Sequence, residues 1–310
     1  MSITAVGSIA YETVRTPSGT RERMLGGAAT HFALAASFFD TVTIVGCVGG
    51  DFGEEQFAIL RTRDTRVADV VRVPDARTAC CSGDYGWDLN TPESADSQPH
   101  VFEHFRPRLS AGARACDVLF LANIHPALQV NVLTQCDQPA FTALDSMDLW
   151  IEVARRELIG AISCVDCVIL SDAGLRLLTG ASSLVAAARA VLGTGPSLVV
   201  AKRGEYGAVL VTRGSVFAIP AYPCERVVDT TGAGDAFAGA FVGYIARHLN
   251  RPLTDGVLRR AMAYGTAIAS HKVEGFGTDR VVGLTLGAVE ARVRELHAIA
   301  TFACEPASVA

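Results

Sequence analysis

The chain has 310 residues, half of them hydrophobic and 19% charged, with a net charge of −5. This supplies a large core and excludes a disordered chain. The slight acidity gives no footprint for nucleic acid or an anionic membrane. No run approaches the ~18 apolar residues of a spanning helix. The start, MSITAVGSIAYE, has no basic stretch before its apolar run and is interrupted by Glu12, so no signal peptide is expected. Nine cysteines, most of them in apolar runs such as TIVGCVGG, read as reduced core residues of a cytoplasmic protein. Cys164 and Cys167 have CxxC spacing but no second pair or nearby His, and read as a strand edge. Lys202 and Lys272 are the only lysines; every other basic residue apart from histidine is Arg.

Short Val/Ile/Leu-rich runs alternate with helical patterns along most of the chain. Strands are expected at Thr4–Ser8, Thr41–Val45, Val118–Leu121, Ala140–Leu144, Val165–Leu170 and Leu198–Ala201. Their near-continuous hydrophobicity suits strands buried on both faces. Helices are expected at Ala28–Phe39, Glu54–Arg63, Leu128–Gln135, Leu149–Gly160 and Leu184–Leu192, then at Thr254–Ser270 and Leu286–Ala300. This order predicts an α/β fold with a mostly parallel sheet between helical layers. Two regions lack covering helices: residues 11–25, around the turn Thr16-Pro-Ser-Gly-Thr20, and residues 70–105, with VVRV, TACCSGDY and HVFEHF as strands. They read as a small β-sheet lid inserted into a single body spanning 1–310. Glu305–Ala310 are expected to fray.

Chemistry concentrates in Asp229-Thr-Thr-Gly-Ala-Gly-Asp235, where a strand turns through glycines into the apolar helix AFAGAFVGYIA. Gly232 and Gly234 let backbone approach an anion. The helix start, near Ala233, offers unpaired N–H groups and the positive end of its dipole. Asp235 in the first turn is placed to take a proton from an attacking hydroxyl. The third glycine of a dinucleotide fingerprint is missing, with Phe237 in its place, and no GxxxxGK[ST], HRD or DFG occurs.

DTTGAGDAFAGAF resembles the C-terminal signature of the PfkB or ribokinase-like family of sugar and nucleoside kinases. GSIAYE, the double glycine Gly26-Gly27 opening a helix, and Val48-Gly-Gly-Asp-Phe-Gly53 agree with it, and the likeness covers essentially the whole chain. The resemblance implies a ribokinase-like three-layer body with a β lid. It also implies an ATP-dependent, Mg2+-requiring kinase with a sugar or nucleoside substrate, monomeric or paired through the lid. By the same resemblance Asp235 is the base that deprotonates a hydroxymethyl group. Gly232, Ala233 and Gly234 form the anion hole, and Asp229 and Thr231 lie beside a monovalent cation such as K+. Lys202, Gly204 and Gly207 line the nucleotide site with Thr231. Residues 267–277, His271 and Gly275 among them, close the adenine pocket. Gly26 and Gly27 meet the substrate.

Three departures from the family pattern stand out. Glu12 holds the place of an Asp that binds sugar hydroxyls, and His31 replaces an Asn; His can still donate and accept. Ser171-Asp-Ala-Gly174 replaces the Asn-x-x-Glu that organises magnesium, leaving Asp172 or Asp145 to serve. Further substrate contacts are expected from Tyr85 and Trp87 on the lid and from Asn123 and His125 at a strand end. The leading expectation is a kinase acting on the primary hydroxyl of a ribosyl-type molecule. The alternative is a binding or regulatory module that has lost turnover.

Overall fold

The computed structural model describes residues 1–301; Glu305–Ala310 lie outside them. The chain begins with β1 (Ser2–Val6), then makes a hairpin of β2 (Ala10–Thr16) and β3 (Gly19–Gly26) before α1 (Ala28–Ala36). Next come β4 (Thr41–Gly49), α2 (Glu54–Leu60), β5 (Arg66–Val73), β6 (Ala79–Asp84) and β7 (Ser94–Gln98). The middle alternates α3 (Ala111–Arg114), β8 (Val118–Leu121), α4 (Pro126–Leu133), β9 (Phe141–Asp145), α5 (Asp148–Val153), α6 (Arg155–Ile162), β10 (Cys167–Ser171), α7 (Asp172–Thr179), α8 (Leu184–Leu192) and β11 (Leu198–Lys202). The hairpin β12 (Ala208–Thr212) and β13 (Val216–Ile219) leads to α9 (Ala233–Ala246), α10 (Asp255–Val273), α11 (Asp279–Val282) and α12 (Leu286–Ala300).

Nine strands form one sheet in the order β13-β12-β11-β10-β9-β8-β1-β4-β5. All pairs are parallel except β11/β12 and β12/β13. Residue alternation sends Phe120 and Ile169 into one core, and Leu119, Leu121, Val168 and Leu170 into the other. Two buried faces explain why these strands read as unbroken apolar runs. The first core is closed by α1, α9, α10 and α12, and Phe32 of α1 stacks on Phe120 at 3.8 Å between ring centroids. Each such side chain contributes about 1.5–3 kcal/mol by burial. From α9 every residue between Ala236 and Ala246 is buried, so that helix is apolar on all sides. The chain runs outward from β1 to β4 and β5, then returns to β8 on the other side. This reversal makes the C-terminal ends of β1 and β8 the natural crevice of the sheet.

The lid is a second sheet, ordered β3-β2-β6-β7. Its composition differs from expectation in two places. Val70–Val73 pair in parallel with Gly46–Gly49 and so form the outer edge of the main sheet. HVFEHF is a 3-10 helix over His100–His104, and the last lid strand is the polar Ser94–Gln98. The expected helix at Leu149–Gly160 is two helices, broken at Ala154 (φ −141°). Among the described residues no single helix is long and apolar enough to cross a membrane. The cysteines among them are all free, with Cys164 exposed and Cys167 buried in its strand.

Candidate active site

The turn from β3 into α1 is shaped by Glu12. A Cβ on Gly26 would lie 2.0 Å from the Glu12 Cδ, so only glycine leaves room for the carboxylate. Glu12 Oε1 accepts from the Gly27 amide at 2.8 Å, and Oε2 lies 3.2 Å from His31 Nε2. The Ala28 amide donates to Ser8 Oγ at 3.1 Å and the Ala29 amide to Ser8 O at 3.0 Å. The free amides opening α1 thus meet a negative charge and two oxygens. Burial works to raise the Glu12 carboxyl, but His31 and the Gly27 amide more than offset it and hold the pKa below its ordinary value. Each Glu12 oxygen keeps a further acceptor position for a hydroxyl. Glu12, Gly26, Gly27 and His31 therefore come together as expected from the sequence.

His31 links this pocket to the glycine turn. Gly232 caps α9 in the left-handed region (φ +75°), and a Cβ there would fall 2.3 Å from the His31 ring. The substrate-side histidine thus forms the floor of the expected anion hole. The Ala233 amide donates to Thr230 O at 3.1 Å, so of the three expected donors this one is already committed within the turn. No acceptor among the described residues takes the amides of Gly232, Gly234 or Asp235. These three, at the positive end of a 14-residue helix, are the available anion donors. The Asp235 carboxylate also has no hydrogen-bond partner among the described residues. It is half-buried, and burial, followed by the nearby Asp145 charge, pushes its pKa up to about 6 against the pull of Lys202 and His31.

Lys202 ends β11 and donates to Asp145 Oδ2 at 2.5 Å, at the end of β9. Burial raises the Asp145 carboxyl and Lys202 works against it. The Lys202 ammonium also lies 3.1 Å from where a Cβ of Gly234 would stand, beside the free amides. Gly204 (φ +55°) and Gly207 (φ +87°) shape the turn that follows. The lid reaches this turn: Asn90 Nδ2 donates to Glu205 Oε1 at 3.0 Å, and the Glu205 amide donates to Asn90 Oδ1 at 3.1 Å. It also reaches the glycine turn, where Thr230 Oγ1 donates to Leu89 O and Thr231 Oγ1 donates to Tyr85 OH at 3.3 Å.

Other expected site residues are engaged by partners within the protein or stand exposed. Asp172 is held by Arg176 on one oxygen and Arg203 on the other. Its two cationic partners leave it no free charge for a metal. Among the described residues no group of three or more His, Cys, Asp or Glu is placed to hold a metal ion. The one carboxylate in the segment replacing Asn-x-x-Glu is thus already ion-paired within the protein. Asn123 accepts from the Trp150 indole at 2.8 Å and donates to Met147 Sδ, while His125 caps α4 and packs edge-on against Trp150. Trp87 is 95% exposed and neither stacks in the pocket nor anchors the lid. His271 lies by Glu274 and is flanked by Arg292 of α12, with Gly275 against Arg280. They belong to the packing of α10 against the C-terminal helices.

The sequence reading missed Lys272. It is fully buried, and its Nζ donates to Asp229 Oδ2 at 2.7 Å and to Asp229 O at 2.9 Å. Burial lowers its pKa and Asp229 pulls it back up. One turn-step along α10 separates it from His271, about 100° round the helix, which sends the two side chains in different directions. The signal was present in the composition: the chain's only two lysines are the two whose ammonium groups sit on site carboxylates.

Residues 2–282 match the pfkB family of carbohydrate kinases. A cytidine kinase of Thermococcus kodakarensis is 32% identical over 267 residues, 83% of this chain and 92% of the relative. Among solved structures, a Burkholderia thailandensis nucleoside kinase in complex with inosine superposes with a TM-score of 0.78 at 18% identity, covering 96% of this chain and 99% of that one. A Methanocaldococcus jannaschii nucleoside kinase of the ribokinase family gives 0.75 at 18% identity, covering 95% and 98%. The fold is thus that of the ribokinase-like kinases. The chain belongs to the pfkB family and is an ATP-dependent sugar or nucleoside kinase.

Proposed function

We propose that the protein transfers the γ-phosphoryl group of ATP to a primary hydroxyl of a nucleoside, with Asp235 as general base. The single observation that carries this reading is the unpartnered Asp235 carboxylate, with a pKa near 6, on the same helical turn as three uncommitted amides. The substrate hydroxyl gives its proton to Asp235 as its oxygen bonds to the γ-phosphorus. The bond from that phosphorus to the β-phosphate oxygen breaks, and ADP leaves. Charge on the transferring oxygens meets the amides of Gly232, Gly234 and Asp235 and the nearby Lys202 ammonium. A base with a pKa close to the working pH combines the right protonation state with a useful driving force. A divalent cation such as Mg2+ accompanying the nucleotide would supply charge neutralisation at its phosphates.

Glu12 and His31 form the polar floor on which the ribosyl hydroxyls rest, and Tyr85 closes the site from the lid. A nucleoside is favoured over a free sugar because the cytidine kinase matches over nearly its whole length, whereas the deoxyribokinase of Salmonella typhi matches over only 40% of either chain. The test is ADP release with ATP and Mg2+ over a panel of nucleosides and sugars, with cytidine first. The expected result is nucleoside-dependent release that falls at least ~10²-fold in Asp235→Asn. Release unchanged by that substitution overturns the assignment of the base. Ligand-induced thermal stabilisation without turnover on any compound favours a binding module instead.

A further inference from the structure

We infer that the Lys272 ammonium is the built-in cation of the glycine turn, so that the enzyme needs no dissociable monovalent cation. This rests on the assignment of the 232–234 turn as the phosphoryl site. The Asp229 carboxylate, which the family resemblance places beside K+, has both oxygens engaged within the protein. Oδ1 accepts from the Thr231 amide at 2.8 Å, and Oδ2 accepts from Lys272 Nζ at 2.7 Å and from the Gly277 amide at 3.0 Å. The Asp229 carbonyl also accepts from Lys272 Nζ. Asp229 and Lys272 are both 0% exposed. The ammonium thus bridges one carboxylate oxygen and one backbone carbonyl, the two kinds of oxygen that a desolvated alkali ion would need.

A second cation at this carboxylate would be repelled by the tethered one in a medium of low dielectric, with no solvent to screen it. The residues present therefore do not fit a monovalent ion at Asp229. Lys272 is set by the last turn of α10, where the helix dipole favours a positive charge. The same helix end fixes the irregular segment leading to the turn, where a strand was expected: Val273 O accepts from the Val228 amide at 2.7 Å and from the Asp229 amide at 3.2 Å. From Asp229, Oδ1 holds the Thr231 amide and so sets the path into Gly232. Lys272 is a positioning residue: through Asp229 it fixes the amides that would receive the phosphoryl group.

The experiment measures turnover and thermal unfolding of the wild-type protein at constant ionic strength in K+, Na+ and tetramethylammonium salts. The inference predicts turnover within 2-fold and an unchanged melting temperature across all three. Lys272→Ala should lose at least ~10-fold in kcat/KM for ATP in tetramethylammonium. It should regain several-fold when propylammonium or K+ is added. Lys272→Met, which fills the space without charge, should not respond to propylammonium. Wild-type turnover or melting that rises specifically with K+ overturns the inference, as does Lys272→Ala with wild-type turnover in tetramethylammonium. If the variants do not fold, the wild-type salt series decides. Absence of wild-type turnover in every salt counts against the phosphoryl-site assignment alone, and the melting series then decides the cation question.

Discussion

Asp229 and Asp235 stand at the two ends of one seven-residue turn and have opposite surroundings. Asp229 is fully buried and held by Lys272 and two backbone amides. Asp235 is half-buried, has no hydrogen-bond partner among the described residues and carries a raised pKa. The more buried carboxylate is the one whose charge is fully matched; the less buried one feels Asp145 and Glu12 without a direct counter-ion. Partners, more than depth, decide which carboxylate holds the loop and which is left reactive. The contrast repeats at the other end of the site, where Asp172 is neutralised by two arginines and Asp145 by one lysine.

The widest separation of the two aspartates should appear in rate. Asp235→Asn is expected to lower kcat by ~10²–10⁴ with the substrate KM little changed, measured in a coupled ADP assay. The next effect falls on stability. Asp229→Asn leaves Lys272 buried without its counter-charge and should cost about 3–5 kcal/mol in urea unfolding at pH 7. A variant as stable as wild type would erase the distinction between the two residues. Asp235→Asn should act in the other direction. A carboxyl whose folded pKa is raised contributes stability that is present below its unfolded pKa and lost as pH rises through the folded value. The Asn variant should therefore be more stable than wild type above pH about 6. The gain should be about 1–2 kcal/mol, since water reaches the carboxylate, and it should vanish towards pH 3. The smallest effect is expected from Asp172→Ala, with turnover within a few-fold and stability within about 1 kcal/mol of wild type. A loss of turnover above tenfold would return Asp172 to the magnesium site.

Much of this was legible in the sequence because period and burial coincide. Val118–Leu121, Leu184–Leu192 and Leu286–Ala300 occur with the bounds expected from their patterns. The glycine turn and its Asp235 were legible because a phosphoryl cradle needs glycines immediately before a helix. What failed to show was set by partners distant in sequence. VVRV pairs with β4 at the outer edge of the main sheet, where exposure breaks its hydrophobic run and makes it resemble a lid strand. HVFEHF alternates like a strand, but it has no strand partner and folds as a 3-10 helix over His100–His104, with Val101 and the following Phe105 buried. Helix α7 went unseen because Ser171, its N-cap, was read as the start of a metal motif. Lys272 was hidden by helical geometry: nothing in its local sequence says that it points inward while His271 faces Glu274 and Arg292.

The most direct test of Asp235 as the base is the pH dependence of kcat/KM for wild type and Asp235→Asn between pH 4.5 and 9. The account predicts a wild-type profile that falls below a pKa of about 6 and a residual activity in the Asn variant that lacks this limb. The same acid limb in both proteins would contradict the assignment and place the titrating base elsewhere.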